Sequence, residues 1–354
     1  MRRIIFLLLT LVLVGPKTAF PARSAGKLNV KAAMVTEFGS GRVLFMQDPD
    51  KRIAPASVTK IMTMYVVFDA IASGKAHLTD RVKVSHRADA TGGSTMNLKA
   101  GETVSIDELL RGMAVASGND ACIAIAEHFG GIPKFVSMMN QKARELGMTN
   151  TTFVNPNGLP AKGQLTTARD LTKLATSYLH HYPQALHYHS TTEINHRGAV
   201  HANSNRLLGA VDGVDGIKTG FVCSSGFNIV VTAKRNGNRI IAVVLGGQTK
   251  EIRNHEATRI VEAAYSGSIG SMLAESASSP EDTPRISHRH SRHHHGNIRL
   301  AETHHSRRIH ANHGASSRFD TGDKAATSSR RHAAKKSHAP RSASRHTSRS
   351  VASR

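Results

Sequence analysis

The 354 residues carry 47 Lys and Arg against 25 Asp and Glu, a formal net charge of +22, with 39% hydrophobic residues. At roughly 150 residues per domain this length admits one large domain or two ordinary ones, and the lowered apolar share says that basic, polar sequence dilutes a globular body. Two cysteines, Cys122 and Cys223, exclude a disulfide framework and a four-cysteine zinc site.

The charge is unevenly placed. Residues 1–25 hold four basic residues and no acid, while residues 271–354 hold 16 basic residues against 6 acids, which leaves 27 against 19 in the middle. In chain order, Met1-Arg2-Arg3 precedes an apolar run from Ile4 to Val14, and Ala22-Arg23-Ser24 places small residues before Ala25. A charged start, a short apolar stretch and a small-residue site predict a secretory signal over 1–24 rather than a membrane span. Export follows as an expectation, to the periplasm or cell envelope, with membrane association if the signal stays uncleaved.

Residues 25–270 alternate strand-like and helix-like segments, which predicts one α/β or α+β domain. Gly39-Ser40-Gly41 separates two strand-like runs, 32–38 and 42–46, and predicts a hairpin. Helical spacing of apolar residues follows over 57–73, 106–116, 119–129, 133–146 and 167–180. Asn236-Gly237-Asn238 then separates the runs 228–233 and 239–245, a second hairpin with the stronger turn chemistry. The two hairpins are read as distant halves of one antiparallel sheet. Beyond 270 the chain is Ser, Arg, His and Ala, with 12 of the 22 histidines and one aromatic, Phe319. Such a composition buries too little to offset chain entropy, so 271–354 is read as a disordered basic tail suited to an anionic envelope polymer. With one aromatic and an export signal, nucleic acid is not the expected partner.

The chemistry begins at Ser57-Val58-Thr59-Lys60. If Ser57 opens a helix, Lys60 lies one turn on and on the same face. The helix N-terminus and apolar neighbours disfavour a cation there, so the lysine drops toward a pKa useful to a general base. The competing reading is an N-cap serine and a solvated lysine. Ser117-Gly118-Asn119 precedes a helix, where it would otherwise cap, and Lys218-Thr219-Gly220 leads into a strand, where Lys218 would otherwise be a surface residue. In that order the three fragments form the signature of penicillin-recognising serine enzymes.

Longer stretches agree. Met139 to Met148, Thr152-Phe153-Val154-Asn155-Pro156-Asn157-Gly158-Leu159-Pro160, Thr166 to Leu171, Asn203 to Leu208 and Val214 to Gly220 resemble, in order, the D-alanyl-D-alanine carboxypeptidases, the low-molecular-mass penicillin-binding proteins. The resemblance implies an antiparallel sheet with helices on both faces and the active site between. It implies Ser57 as nucleophile, Lys60 as base, Ser117 as proton donor to the leaving amine and Asn119 as the holder of the substrate amide. Lys218 and Thr219 would bind the terminal carboxylate with help from Arg253, Gly220 would line the substrate site beside them, and the backbone N–H groups of Ser57 and Phe221 would receive the oxyanion. The implied substrate is a peptidoglycan stem peptide ending in D-Ala-D-Ala and the implied inhibitors are β-lactams, with no cofactor and no metal.

Three departures and three alternatives stand beside this. Some relatives carry histidine after Lys-Thr-Gly, where this chain has Phe221. The small β-domain and C-terminal amphipathic anchor of many relatives are not expected here. An oxidising compartment would allow a disulfide between Cys122 and Cys223, but they are expected to be unpaired and largely buried. A class A β-lactamase needs a glutamate in the loop 152–160, which has none. A D,D-endopeptidase cutting crosslinks shares every motif. A non-enzymatic wall-binding protein acting through its tail is disfavoured by intact Ser57, Lys60, Asn119 and Lys218.

Overall fold

The hairpin residues do what their turns require. In the second turn both Asn236 and Gly237 take positive φ, 49° and 81°, the pair of left-handed residues whose twist matches that of the flanking strands. The structure, a computed structural model, describes residues 27–269; the expected signal over 1–24 and the tail over 271–354 lie outside the described residues. Five antiparallel strands form the main sheet: β1 Ala32–Glu37, β2 Val43–Gln47, β7 Val214–Val222, β8 Gly226–Arg235 and β9 Asn238–Gly247. Their order, β2-β1-β9-β8-β7, joins the two distant hairpins through the β1–β9 pair and leaves β7 at an edge. Two small antiparallel pairs accompany it, β3 Arg81–Lys83 with β4 Thr103–Ser105, and the hairpin of β5 Glu193–His196 with β6 Ala199–Ala202.

The helices are α1 Lys60–Ala72, α2 His86–Asp89, α3 Ile106–Arg111, α4 Asn119–His128, α5 Ile132–Glu145, α6 Ala168–His181, α7 Leu186–His189 and α8 Lys250–Ser266. Side chains alternate across the sheet with period two. Met34, Val230, Ile241, Val243 and Leu245 face one core with α1, α4, α5 and α6, whereas Val35, Ile229, Val231, Ala242 and Val244 face a second core with α8. Cover on both faces explains why β9 reads Ile-Ile-Ala-Val-Val-Leu with no polar alternation. The expected architecture of an antiparallel sheet with helices on both faces is therefore observed.

Three local details differ from the sequence expectation, each beside the cleft. The segment 57–73 is not one helix: a tight 3-10 turn, Ala56–Thr59, precedes α1. The segment 106–116 is α3 followed by a wider π turn, Gly112–Ala116, which ends on Ser117 in the left-handed region. Helix α8 was not expected, because its buried face includes Arg253 and Glu256 as well as Ala257, Ile260 and Val261, so its apolar stripe is interrupted. Thr249 caps it by accepting from the Ile252 N–H at 3.1 Å. No helix among the described residues is long and apolar enough to cross a membrane.

Candidate active site

Ser57 sits on a turn that the rest of the molecule grips from two sides. Ala56, just before it, takes φ 52°, a costly conformation for a residue with a Cβ that persists only when its surroundings impose it. From one side comes the loop 155–160: a Cβ added to Gly158 would overlap the Ala56 carbonyl oxygen. From the other comes β7, where a Cβ on Gly220 would lie 2.9 Å from Ser57 N and 3.1 Å from the Pro55 carbonyl oxygen. Asn228 on β8 ties the turn to the sheet, its Nδ2 donating to the Ala54 carbonyl at 3.1 Å. Both glycines are thus required by close backbone approach.

One turn on, Lys60 is fully buried at the start of α1. Its Nζ lies 3.0 Å from Ser57 Oγ, 2.7 Å from Asn119 Oδ1 and 2.6 Å from the Asn157 carbonyl oxygen. Burial pushes its pKa down, opposed by the nearby Cys122 and Asp120. Neutral lysine has two N–H bonds and one lone pair. An amide oxygen and a peptide carbonyl can only accept, so they take both hydrogens, and the lone pair is left facing Ser57, the one partner with a proton to give. The Asn119 orientation is set by its Nδ2, which donates to the Gly92 carbonyl at 2.8 Å.

The Asn157 carbonyl is a site group that sequence reasoning missed, since only the run around it was noted. The loop that presents it is internally braced: Asn155 Oδ1 accepts from Gly158 N at 2.8 Å, and Gln164 Oε1 accepts from the N–H groups of Val154 and Asn155 at 2.9 Å. Thr63 Oγ1 on α1 donates to the Pro156 carbonyl, which fastens the loop to the helix that carries Lys60.

Ser117 holds φ 59° at the end of the π turn and lines the same cavity as Ser57. Neither it nor Asn119 caps α4, whose N-cap is Gly118 with no side-chain hydrogen bond; the capping alternative is not realised. The cavity, about 560 Å³, also takes Thr219, Gly220, Phe221 and Arg253 into its wall. Thr219 Oγ1 is 2.7 Å from Ser204 Oγ. Arg253 is anchored by Nη1 donating to the Asn228 carbonyl at 3.1 Å and Nε to Asn254 Oδ1 at 2.9 Å. Burial lowers its guanidinium to about 10, still cationic at neutral pH.

Lys218 is brought to the site but not onto the cavity wall. Along β7, Thr219 meets Ser204, while Lys218 and Gly220 lie on the opposite, Ser57-facing side. Only 1% of Lys218 is exposed, and burial pushes it down to about 7. The competing reading of a surface lysine is excluded. Ser94, Ser204, Arg206, Phe227, Lys250, Glu251 and Asn254 complete the wall without having been singled out; of these, only Ser204 and Arg206 lay in a run with a visible signal. The cysteines are unpaired as expected. Cys122 is buried, its thiol raised to about 11 chiefly by burial, but Cys223 is exposed, against expectation, because it falls in the β7–β8 turn rather than within a strand.

Comparison with known proteins agrees with this geometry. The model of the D-alanyl-D-alanine carboxypeptidase family matches residues 18–249. DacC of Escherichia coli, a D-alanyl-D-alanine carboxypeptidase, is 40% identical over 255 residues, covering 69% of this chain and 64% of its own. DacF of Bacillus subtilis is 39% identical over 242 residues, covering 67% and 62%. The chain thus spans a little under two thirds of the length of these curated relatives. Among solved structures, the carboxypeptidase DacD from Francisella tularensis superposes with TM-score 0.67 at 32% identity, over 71% of this chain and 74% of that one. Penicillin-binding protein D2 from Listeria monocytogenes, in its cefotaxime-bound form, gives 0.63 at 30% identity, over 68% and 98%. By its family match and by the fold it shares with these proteins, the chain belongs to the D-alanyl-D-alanine carboxypeptidase family, peptidase family S11.

Proposed function

We propose that the protein is a serine D-Ala-D-Ala carboxypeptidase acting on peptidoglycan stem peptides through an acyl-enzyme, and that β-lactams acylate the same serine. The observation that carries this reading is the buried Lys60 Nζ, 3.0 Å from Ser57 Oγ and held by two further groups that can only accept. Ser57 Oγ attacks the carbonyl of the penultimate D-alanine while its proton passes to Lys60. The C–N bond breaks, and the leaving D-alanine amine takes a proton by way of Ser117. Water then attacks the acyl carbon, its proton returns to Ser57 through Lys60, and the shortened peptide departs. The Ser57 and Phe221 N–H groups receive the developing oxyanion, a role supported by the close approach of β7 at Gly220. The remaining Nδ2 hydrogen of Asn119 holds the substrate amide, and Thr219 and Arg253 take the terminal carboxylate. Lys218 contributes charge from behind the wall.

The edge position of β7 suits pairing with the substrate backbone. A wall substrate also fits the leader over 1–24, read as an export signal to the periplasm or envelope, and the basic segment 271–354 is assigned a charge-based hold on anionic envelope polymer. The test is to incubate the purified chain with pentapeptide monomers and with crosslinked dimers and to weigh the products. Free D-alanine from monomer supports the carboxypeptidase, and dimer cleavage without that release would make the protein an endopeptidase instead.

A further inference from the structure

The cavity wall carries one feature that hydrolysis of D-Ala-D-Ala does not call for. Phe221 is 50% exposed, one of the few large hydrophobic side chains left in solvent among the described residues. It is not loosely placed. Its ring stacks on Phe227 at 4.3 Å between centroids and 28° between planes, and the two residues are direct partners across the β7–β8 ladder. Both rings line the cavity that holds Ser57.

Their position relative to Arg253 identifies what they face. The guanidinium is anchored on the carbonyl of Asn228, the residue next to Phe227, and the backbone of Gly247, the strand partner of Phe227, lies against Arg253. A terminal carboxylate on Arg253 therefore puts the side chain of that same terminal residue beside the aromatic pair. A methyl group leaves most of such a surface wet, whereas a branched or longer apolar side chain covers it and gains by burial.

Resting on the carboxypeptidase reading, we propose that Phe221 and Phe227 form an apolar subsite for the leaving residue, so that the enzyme also removes bulky apolar D-residues, such as D-leucine, from stem-peptide termini. The reaction is the same hydrolysis: the peptide C–N bond breaks, water supplies hydroxyl to the acyl carbon and a proton to the amine, and no further reactant is needed. Phe221 and Phe227 are specificity residues here, because they touch the substrate without taking part in proton transfer.

The experiment measures kcat/KM of the full chain, and of Phe221→Ala and Phe221→Leu, on pentapeptides that differ only in a terminal D-Ala, D-Leu or D-Lys. In the unsubstituted protein the D-Leu peptide is expected within about tenfold of the D-Ala peptide, with D-Lys slower than both. One or two methylenes of apolar contact are worth about 10-fold or more. Phe221→Ala should therefore lower the D-Leu to D-Ala ratio about tenfold, mainly through KM, and Phe221→Leu should restore most of it. Rapid D-Ala release with D-Leu more than about a hundredfold slower, or a ratio unmoved by Phe221→Ala, would overturn the subsite alone. Release of neither residue by the unsubstituted protein would overturn the carboxypeptidase reading beneath it.

Discussion

The two walls of the cleft each bury a lysine, and the two are treated differently. Lys60, on the helical wall, meets three oxygen partners within 3.0 Å. Lys218, on the sheet wall, donates no side-chain hydrogen bond among the described residues, and burial holds it near 7. Burial alone lowers both, but a directed lone pair needs partners that accept and cannot donate, and only Lys60 has them. On the proposed mechanism the helical wall carries proton transfer, and the sheet wall carries an electrostatic load beneath a binding surface.

The sharpest way to break this contrast is at the group that Lys60 serves. Ser57→Ala should remove covalent labelling by a fluorescent penicillin, a loss on the order of a million-fold in acylation rate, while circular dichroism and melting stay as in the parent. A folded, labelled variant would move the nucleophile elsewhere. Next is Lys60→Arg: guanidinium is permanently charged, so acylation should fall about 10³- to 10⁴-fold, with no recovery as pH is raised to 10. Recovery at alkaline pH would mean that another base replaces Lys60.

Lys218→Met tests the other wall through stability. The folded-state pKa near 7 lies below the ordinary lysine value of 10.5, so between these values the unfolded chain binds more protons and stability of the parent rises with pH. The cost of the buried charge is therefore fully present below pH 7 and released as pH passes from about 7 to about 10.5. Lys218→Met should unfold later in urea by about 2 to 4 kcal/mol at pH 6, with the gain gone above pH 10.5; an equal gain at both pH values would assign it to packing. The smallest effect concerns the seam between the walls. Gly220→Ala places a Cβ 2.9 Å from Ser57 N, and a displacement well under 1 Å should lower penicillin acylation about 100-fold. Parent-like acylation would show that the turn yields freely.

Much of the site was legible in the chain, because its residue types sit at local spacings. Ser57 and Lys60 need only one turn of helix to meet, and Asn236-Gly237 needs only its own backbone to form the second hairpin. The strands of the two hairpins were legible for the same reason, their periodicity and turns being local properties.

What the tertiary structure decided is what depends on distant backbone. The Asn157 carbonyl that orients Lys60 comes from 97 residues away, and every residue has a carbonyl, so no side-chain pattern marks it. The place of Lys218 behind the wall rather than on it follows from the pairing of β7 with β8 and the seating of that strand against the Ser57 turn. Helix α8 escaped notice because it buries Arg253, whose value lies in the cavity it faces and not in the apolar stripe it interrupts. Residue identity and spacing set which groups are available along the chain. Which of their lone pairs, charges and rings face one another was decided by strand pairing and by two glycines that let backbones meet.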